Sequence, residues 1–176
     1  MSFHFMHTHL EIAAASLPWP EADALFLPTN DYLWMAEGPA LEVKKEAGEE
    51  VELEAVRQGP AALGEVVVTR PGSLPLSGIL HGAVMGQDLQ LDAEAASRAI
   101  EGGLKMANEK GWERLLVHSL LTTGKGTRRE VVGKALGVLV QALLEGQRLR
   151  SVTLLGVDEA ERAFLHEAVL HIIQTG

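Results

Sequence analysis

Apolar residues recur along the chain with two periods, one typical of strands and one typical of helices. Short aliphatic runs bounded by Gly, Pro, Asn or Asp predict strands, and apolar positions three or four apart with charges between them predict amphipathic helices. The predicted strands are 3–10, 23–27, 64–69, 78–84, 114–121 and 151–157. The predicted helices are 42–58, 93–110, 131–144 and 159–173, with one further helical turn in 11–16.

The predicted strands of the second half of the chain are apolar over most of their length and do not alternate cleanly with polar residues. A strand with this pattern is buried on both faces of its sheet, and helices are the elements that cover both faces. The fold class is therefore α/β. The predicted architecture is a three-layer α/β/α sandwich.

Length and composition restrict what such a chain can do. Its 176 residues, 47% of them apolar, suffice for one hydrophobic core, so 1–176 is predicted to form a single domain. The absence of Cys excludes disulfides, thiolate nucleophiles and Cys-ligated zinc. A net charge of -9 repels the phosphate backbone, so no nucleic-acid partner is expected.

Membrane insertion and secretion are not expected either. The longest apolar runs fall short of the roughly 18 residues that cross a bilayer, and the N-terminal segment lacks the basic-then-apolar pattern of a secretory signal. The chain is therefore expected to be cytoplasmic. Its only Asn residues are Asn30 and Asn108, and this scarcity beside abundant Glu, Arg and Leu resembles the composition of heat-adapted proteins.

One loop carries the clearest sign of ligand binding. The segment 115–127 (LLVHSLLTTGKGT) is an apolar strand that breaks into a hydroxyl- and glycine-rich turn just before a helix. Such a turn presents backbone N–H groups beside the positive end of the helix dipole, which favours a phosphate. Only Lys125 separates Gly124 from Gly126, which is not the glycine spacing of nucleoside triphosphatases. The alternative is an ordinary strand-to-helix connection.

Histidines and aromatic residues are further candidates. His7 and His9 would share one face of the first predicted strand, but no third ligand is evident, so neither a metal nor a cofactor is expected. His81 is interpreted as a buried histidine at the end of its strand with a backbone partner. Tyr32 and Trp34 lie in the loop after the second predicted strand, where an aromatic ring either packs in the core or covers a ligand.

Four segments, taken in order, resemble the macro domain family, whose members bind ADP-ribose and related nucleotides. They are FLPTND at 26–31, EGPALEVKKEAG at 37–48, GEVVVTRPGSLPLSGILHGAV at 64–84 and LLTTGKG at 120–126. In the third segment the matching positions are Gly64, Thr69, Gly72, Leu74, Pro75 and His81. The segments span nearly the whole chain. The resemblance implies a sandwich whose central sheet is mixed and mostly parallel.

The resemblance also implies a ligand cleft at the carboxyl ends of the strands. Glu11 stands where the family has an acidic residue for the adenine amino group, and Asn30 where it has an Asn that contacts the distal ribose. The ligand-binding residues implied in this way are Glu11, Thr29, Asn30, Gly38, Pro39, Thr122, Thr123, Gly124, Lys125, Gly126 and Val157. A catalytic role is implied for Asn30 alone. The implied partner is a small ADP-ribose-like ligand, free or carried on an ADP-ribosylated protein.

The chain departs from the family pattern at positions that affect activity. Leu27 replaces the first Asn of the ribose loop, and the segment MAEGPA replaces a run of glycines. Ala40 stands about where hydrolytic members carry an Asp, and Val157 replaces an aromatic residue that lies against adenine. The departures leave three hypotheses open.

Binding of ADP-ribose or a related adenine-nucleotide diphosphate is the first hypothesis. The second is hydrolysis of an ADP-ribose ester or ADP-ribose 1''-phosphate, with Asn30 orienting the distal ribose. The missing Asp counts against it, and Asp31, Glu37 or Glu42 would have to supply the carboxylate. The third is a structural or oligomerising module with a degenerate pocket. The oligomeric state stays open.

Overall fold

A computed structural model describes residues 2–176, which form a mixed seven-stranded sheet with helices on both faces. The strands are β1 (Ser2–Phe5), β2 (Thr8–Ala14), β3 (Ala24–Asn30), β4 (Val66–Thr69), β5 (Gly78–Met85), β6 (Arg114–Val117) and β7 (Ser151–Gly156). The helices are α1 (Gly38–Ala47), α2 (Glu49–Arg57), α3 (Ala93–Glu109), α4 (Arg129–Glu145) and α5 (Glu159–Thr175). None of these helices has the length and hydropathy needed to cross a membrane. The three-layer α/β/α sandwich is confirmed.

The sheet has the order β1-β2-β7-β6-β3-β5-β4 and is mostly parallel. The five inner strands pair in parallel, whereas β1 pairs antiparallel with β2 and β4 pairs antiparallel with β5. Parallel strands end at the same edge of a sheet, so the loops after β3, β6 and β7 lie side by side. This edge is where the predicted ligand loops meet.

Strand β3 shows why the sheet is buried on both faces. Phe26 belongs to the core formed with α3, α4 and α5, whereas Leu25 and Leu27 belong to the core formed with α1 and α2. All three side chains are at most 1% exposed. An apolar residue at every position is what a strand between two helical layers requires.

The first predicted strand is wrong, because 3–10 forms the β1–β2 hairpin. The chain reverses at Met6 and His7, and Met6 takes a left-handed φ of 54°. The alternation of apolar and polar residues continues through the turn, so the period alone does not reveal the reversal. His7 and His9 therefore do not share a strand face. His9 pairs with His4 across the hairpin, with ring centroids 3.7 Å apart.

Two predicted helical segments are also wrong. The helical turn predicted at 11–16 is a continuation of β2, which pairs with β7 as far as Ala14. Long-range pairing outweighs the helix propensity of the alanine run there. The helix predicted over 42–58 is two helices, α1 and α2, which are separated at Gly48 because its φ of 108° is not helical. Helix α1 also begins earlier than predicted, at Gly38.

Two strands end several residues from their predicted ends, and both ends shape the candidate site. β3 continues past Pro28 to Asn30. The strand tolerates Pro28 because β6 pairs only with the first part of β3. β6 ends already at Val117. The chain turns after this strand, and the Oγ of Ser119 stabilises the turn by accepting the N–H of Thr122 at 3.2 Å.

His81 is fully buried, as predicted, but it lies inside β5 and not at the end of the strand. Its Nε2 is hydrogen-bonded to the hydroxyl of Thr69 at 2.8 Å, so its partner is a side chain and not the backbone. Its Nδ1 is buried without a partner among residues 2–176. Such a ring is confined to its neutral form over most of the physiological pH range.

Candidate functional site

The loops after β2, β3, β5, β6 and β7 enclose a cleft with two chambers at the carboxyl edge of the sheet. The large chamber, about 620 Å³, has a wall that includes Leu17, Trp19, Glu42, Val43, His118 and Val157. The small chamber, about 380 Å³, has a wall that includes Thr29, Asn30, Trp34, Glu37, Gln87 and Gly124. Gly38, Pro39 and Thr122 line both chambers and mark the place where they meet.

This meeting place, which we call the neck, is formed by Gly38 and Thr122. Gly38 opens α1 with a φ of +59°, and a Cβ added to it would lie 3.2 Å from the carbonyl oxygen of Thr122. Glycine allows this approach because it has no side chain and tolerates a left-handed backbone. Two backbone segments therefore face each other across the neck.

Unpaired backbone donors belong to the two chain segments that form the neck. Among residues 2–176 the N–H groups of Gly38, Ala40 and Gly124 make no hydrogen bond. Gly38 and Ala40 belong to the first turn of α1, where free N–H groups and the helix dipole favour an anion. Pro39, between them, has no N–H to offer.

The glycine-rich loop offers fewer donors than its sequence indicated. In this loop, residues 122–126, three N–H groups are already bonded within the protein, and those of Gly124 and Gly126 are unbonded among the described residues. The bonded pairs are Thr122 N with Ser119 Oγ at 3.2 Å, Thr123 N with Leu120 O at 3.2 Å and Lys125 N with Leu89 O at 2.7 Å. These bonds fix the loop beside the small chamber.

Asn30 is largely engaged with its own loop. Its Nδ2 donates to the carbonyl of Trp34 at 2.8 Å, and its Oδ1 accepts the N–H groups of Tyr32 at 3.0 Å and Trp34 at 3.3 Å. The hydroxyl of Thr29 donates to the same Trp34 carbonyl at 3.2 Å. Asn30 and Thr29 therefore hold Trp34, which is 46% exposed, at the wall of the small chamber. One Nδ2 proton of Asn30 is left for a ligand.

Two buried carboxylates that sequence reasoning missed support the loops. Glu52 accepts the N–H of Met35 at 2.6 Å and pairs with Lys44 at 2.9 Å. Glu161 joins two ligand loops, because its carboxylate accepts the N–H of Val157 at 2.7 Å and the hydroxyl of Ser119 at 2.6 Å. The spacing of Asp158 and Glu161 at the start of α5 is a capping signature that would have indicated an engaged Glu161.

The sequence did not indicate a role for His118, which is also part of the cleft. It follows β6 directly, is 4% exposed and lines the large chamber. Its Nδ1 accepts the N–H of Ser119 at 2.8 Å, and burial lowers the pKa of the ring to about 4. The neutral ring therefore carries its proton on Nε2. Its ring meets that of Trp19 at 87°, with centroids 6.0 Å apart.

Most of the residues implied by sequence come together at this cleft. Those that line it are Thr29, Asn30, Gly38, Pro39, Thr122, Thr123, Gly124 and Val157. Lys125 and Gly126 line neither chamber. Glu11 lies apart, on β2, in a separate pocket with Arg114 and Arg150.

Of the three carboxylates considered as substitutes for the missing Asp, Glu37 lines the small chamber and Glu42 the large one. The third, Asp31, accepts the side-chain N–H of Gln87 at 2.6 Å. Within residues 2–176 no group of three or more His, Asp or Glu side chains is placed to hold a metal ion.

The model of the Macro domain family matches residues 28–134, more than half of the chain. The chain belongs to the macro domain family. The matched span contains the end of β3, the neck and the glycine-rich loop, so the cleft is built largely from family segments. The resemblance noted from the sequence is confirmed.

Solved macro domains share the fold of this one. The Oceanobacillus iheyensis macrodomain with ADP matches it with a TM-score of 0.86 and 20% identity, covering 100% of this chain and 97% of that one. The Trypanosoma brucei macrodomain in complex with ADP-ribose matches with a TM-score of 0.76 and 19% identity, covering 93% of this chain and 69% of that one. At such identities the likeness shows the fold alone.

Sequence relatives of this macro domain differ in length. An uncharacterized Aquifex aeolicus protein is 27% identical over 151 residues, which cover 85% of this chain and 91% of that protein. An uncharacterized Mycobacterium tuberculosis protein is 30% identical over 158 residues, which cover 88% of this chain and 43% of that protein. The chain thus spans nearly all of the first relative and less than half of the second.

Proposed function

We propose that this macro domain binds ADP-ribose, or a related adenine-nucleotide diphosphate, in the two-chambered cleft. The neck is the observation that carries the proposal. Unpaired N–H groups of Gly38, Ala40 and Gly124 belong to the two segments beside it, and α1 directs the positive end of its dipole there. A diphosphate at the neck places one end of the ligand in each chamber. The Oceanobacillus and Trypanosoma macro domains with ADP or ADP-ribose support this choice.

The chambers differ in a way that suits the two ends of ADP-ribose. The large chamber combines apolar side chains with the indole of Trp19, which fits a flat purine. The small chamber presents the hydroxyl of Thr29, the amide of Asn30 and the exposed ring of Trp34, which fits a ribose. We therefore assign adenosine to the large chamber and the distal ribose to the small one.

Titration with ADP-ribose, ADP and AMP tests the proposal. A ligand at a hundredfold excess over its Kd should raise the free energy of unfolding by about 2.7 kcal/mol, which calorimetry and thermal denaturation measure. ADP-ribose should bind most tightly because it fills both chambers, and AMP most weakly because it leaves the small one empty. No stabilisation at millimolar ADP-ribose would contradict binding and favour the structural module with a degenerate pocket.

Hydrolysis of an ADP-ribose ester is a second candidate, and Glu37 is the residue that favours it. Glu37 precedes α1 at its N-cap position without making a capping hydrogen bond, and it lines the small chamber. A carboxylate there is placed to activate water beside the distal ribose. General-base assistance contributes roughly a hundredfold or more to a rate.

Release of ADP-ribose from an ADP-ribosylated protein should therefore fall about a hundredfold in Glu37→Gln. Glu49→Gln, in the first turn of α2 and outside both chambers, is the matched control and should keep the wild-type rate. Single-turnover release of labelled ADP-ribose measures both rates. Equal rates in Glu37→Gln and wild type would exclude Glu37 as the base, and no release by the wild type would leave binding as the function.

A further inference from the structure

The large chamber contains one buried polar side chain whose outer atom has no partner in the protein. His118 is 4% exposed, and its Nδ1 is bonded to the N–H of Ser119. Its Nε2 makes no hydrogen bond with residues 2–176. This atom is not fully enclosed by the protein, so it reaches accessible space. The accessible space that His118 borders is the large chamber.

We propose that His118 recognises the base of the bound nucleotide: its neutral ring donates the Nε2 proton to a ring nitrogen of an adenine that lies against Trp19. The inference rests on the proposed function, since it needs a nucleotide in the large chamber. The Ser119 contact sets the direction of the hydrogen bond to adenine, because a ring that accepts at Nδ1 donates at Nε2.

The surroundings of His118 favour a base over other ligands. The indole N–H of Trp19 donates to the carbonyl of Ala15 at 2.7 Å, which fixes the aromatic ring next to the imidazole. Val157, 47% exposed, contributes an apolar contact from the loop after β7. A flat ring with lone pairs on its edge satisfies both the indole and the single buried donor.

The chamber also differs from the one that the sequence implied. Glu11, the residue implied for the adenine amino group, lies in another pocket. The contact offered by His118 is a donor, which suits the ring nitrogens of adenine and not its amino group. The large chamber therefore recognises adenine through a donor to a ring nitrogen and not through an acceptor for the amino group.

Two substitutions separate the ligand contact from the internal one. His118→Asn keeps an acceptor at the position of Nδ1 and loses the Nε2 donor, so we expect the Kd for ADP-ribose to rise about tenfold. His118→Gln carries an amide N–H where Nε2 stood, so we expect it to restore most of the affinity. Calorimetric titration measures each Kd, and thermal denaturation without ligand confirms that each variant is folded.

Analogues of ADP test the same contact from the ligand side with the wild-type protein. In 1-deaza-, 3-deaza- and 7-deaza-ADP a C–H replaces one ring nitrogen. One of the three analogues should bind the wild-type protein about tenfold more weakly than ADP does. The same analogue should bind His118→Asn as tightly as it binds the wild type. Wild-type affinity in His118→Asn, or equal binding of all three analogues, overturns this inference and leaves the proposed function standing. No binding of ADP-ribose or ADP by the wild type overturns both.

Discussion

Replacing Gly124 by Ala is expected to weaken ADP-ribose binding by about a hundredfold. A Cβ on Gly124 would lie 2.6 Å from the carbonyl oxygen of Leu89 and 3.1 Å from the sulfur of Met85. The Leu89 carbonyl is backbone and also accepts the N–H of Lys125 at 2.7 Å, so the glycine-rich loop must move as a whole. The unpaired N–H of Gly124 then leaves its place beside the neck.

Gly126→Ala is the matched control for this effect. Gly126 has a φ of +61° and Gly124 one of +82°, so both substitutions carry the left-handed strain of a residue with a Cβ, about 1 to 2 kcal/mol. A Cβ on Gly126 would meet nothing within 4 Å. Calorimetric titration should therefore show near-wild-type affinity in Gly126→Ala. Equal losses in the two variants would mean that backbone strain, and not displacement of the loop, controls binding.

The sandwich was predictable because its cause is local. Apolar residues at consecutive positions of β3 are required by a strand that packs on two helical layers, and the helical period is visible within the helical segments themselves. The prediction errors fall where contacts between segments far apart in the sequence, or a single backbone angle, determine the secondary structure. The alanine run of 11–16 has helical propensity, but β7, far along the chain, makes it a strand. Gly48 breaks a continuous amphipathic pattern through one dihedral angle.

The site was predictable only in part, for a related reason. The neck is made of backbone, and the short segments that contain Gly38 and Thr122 keep the order of the family, so the resemblance located them. His118 and Trp19 come from segments far apart along the chain, and no spacing connects them. Glu161 joins two loops through its side chain, and only its capping position was visible in the sequence.

Acid is expected to destabilise this macro domain strongly between pH 6.5 and 4, because two buried histidines take up protons on unfolding. Burial lowers the pKa of His81 to about 4, although the charge of Glu54 opposes the shift, and burial lowers the pKa of His118 to about 4. Both titrate near 6.5 when unfolded. In this window the unfolded chain binds more protons than the folded chain, so stability falls as the pH falls.

The expected loss is about 3 kcal/mol of unfolding free energy for each ring over the window, a large fraction of the stability of a small domain. Urea denaturation at a series of pH values between 7.5 and 4 measures it. His81→Gln cannot take up this proton, so its stability should fall with a slope shallower by about 1.4 kcal/mol per pH unit. His171→Gln, on the exposed side of α5, controls for removing an imidazole. A wild-type slope in His81→Gln would show that the buried ring of His81 does not govern the acid response.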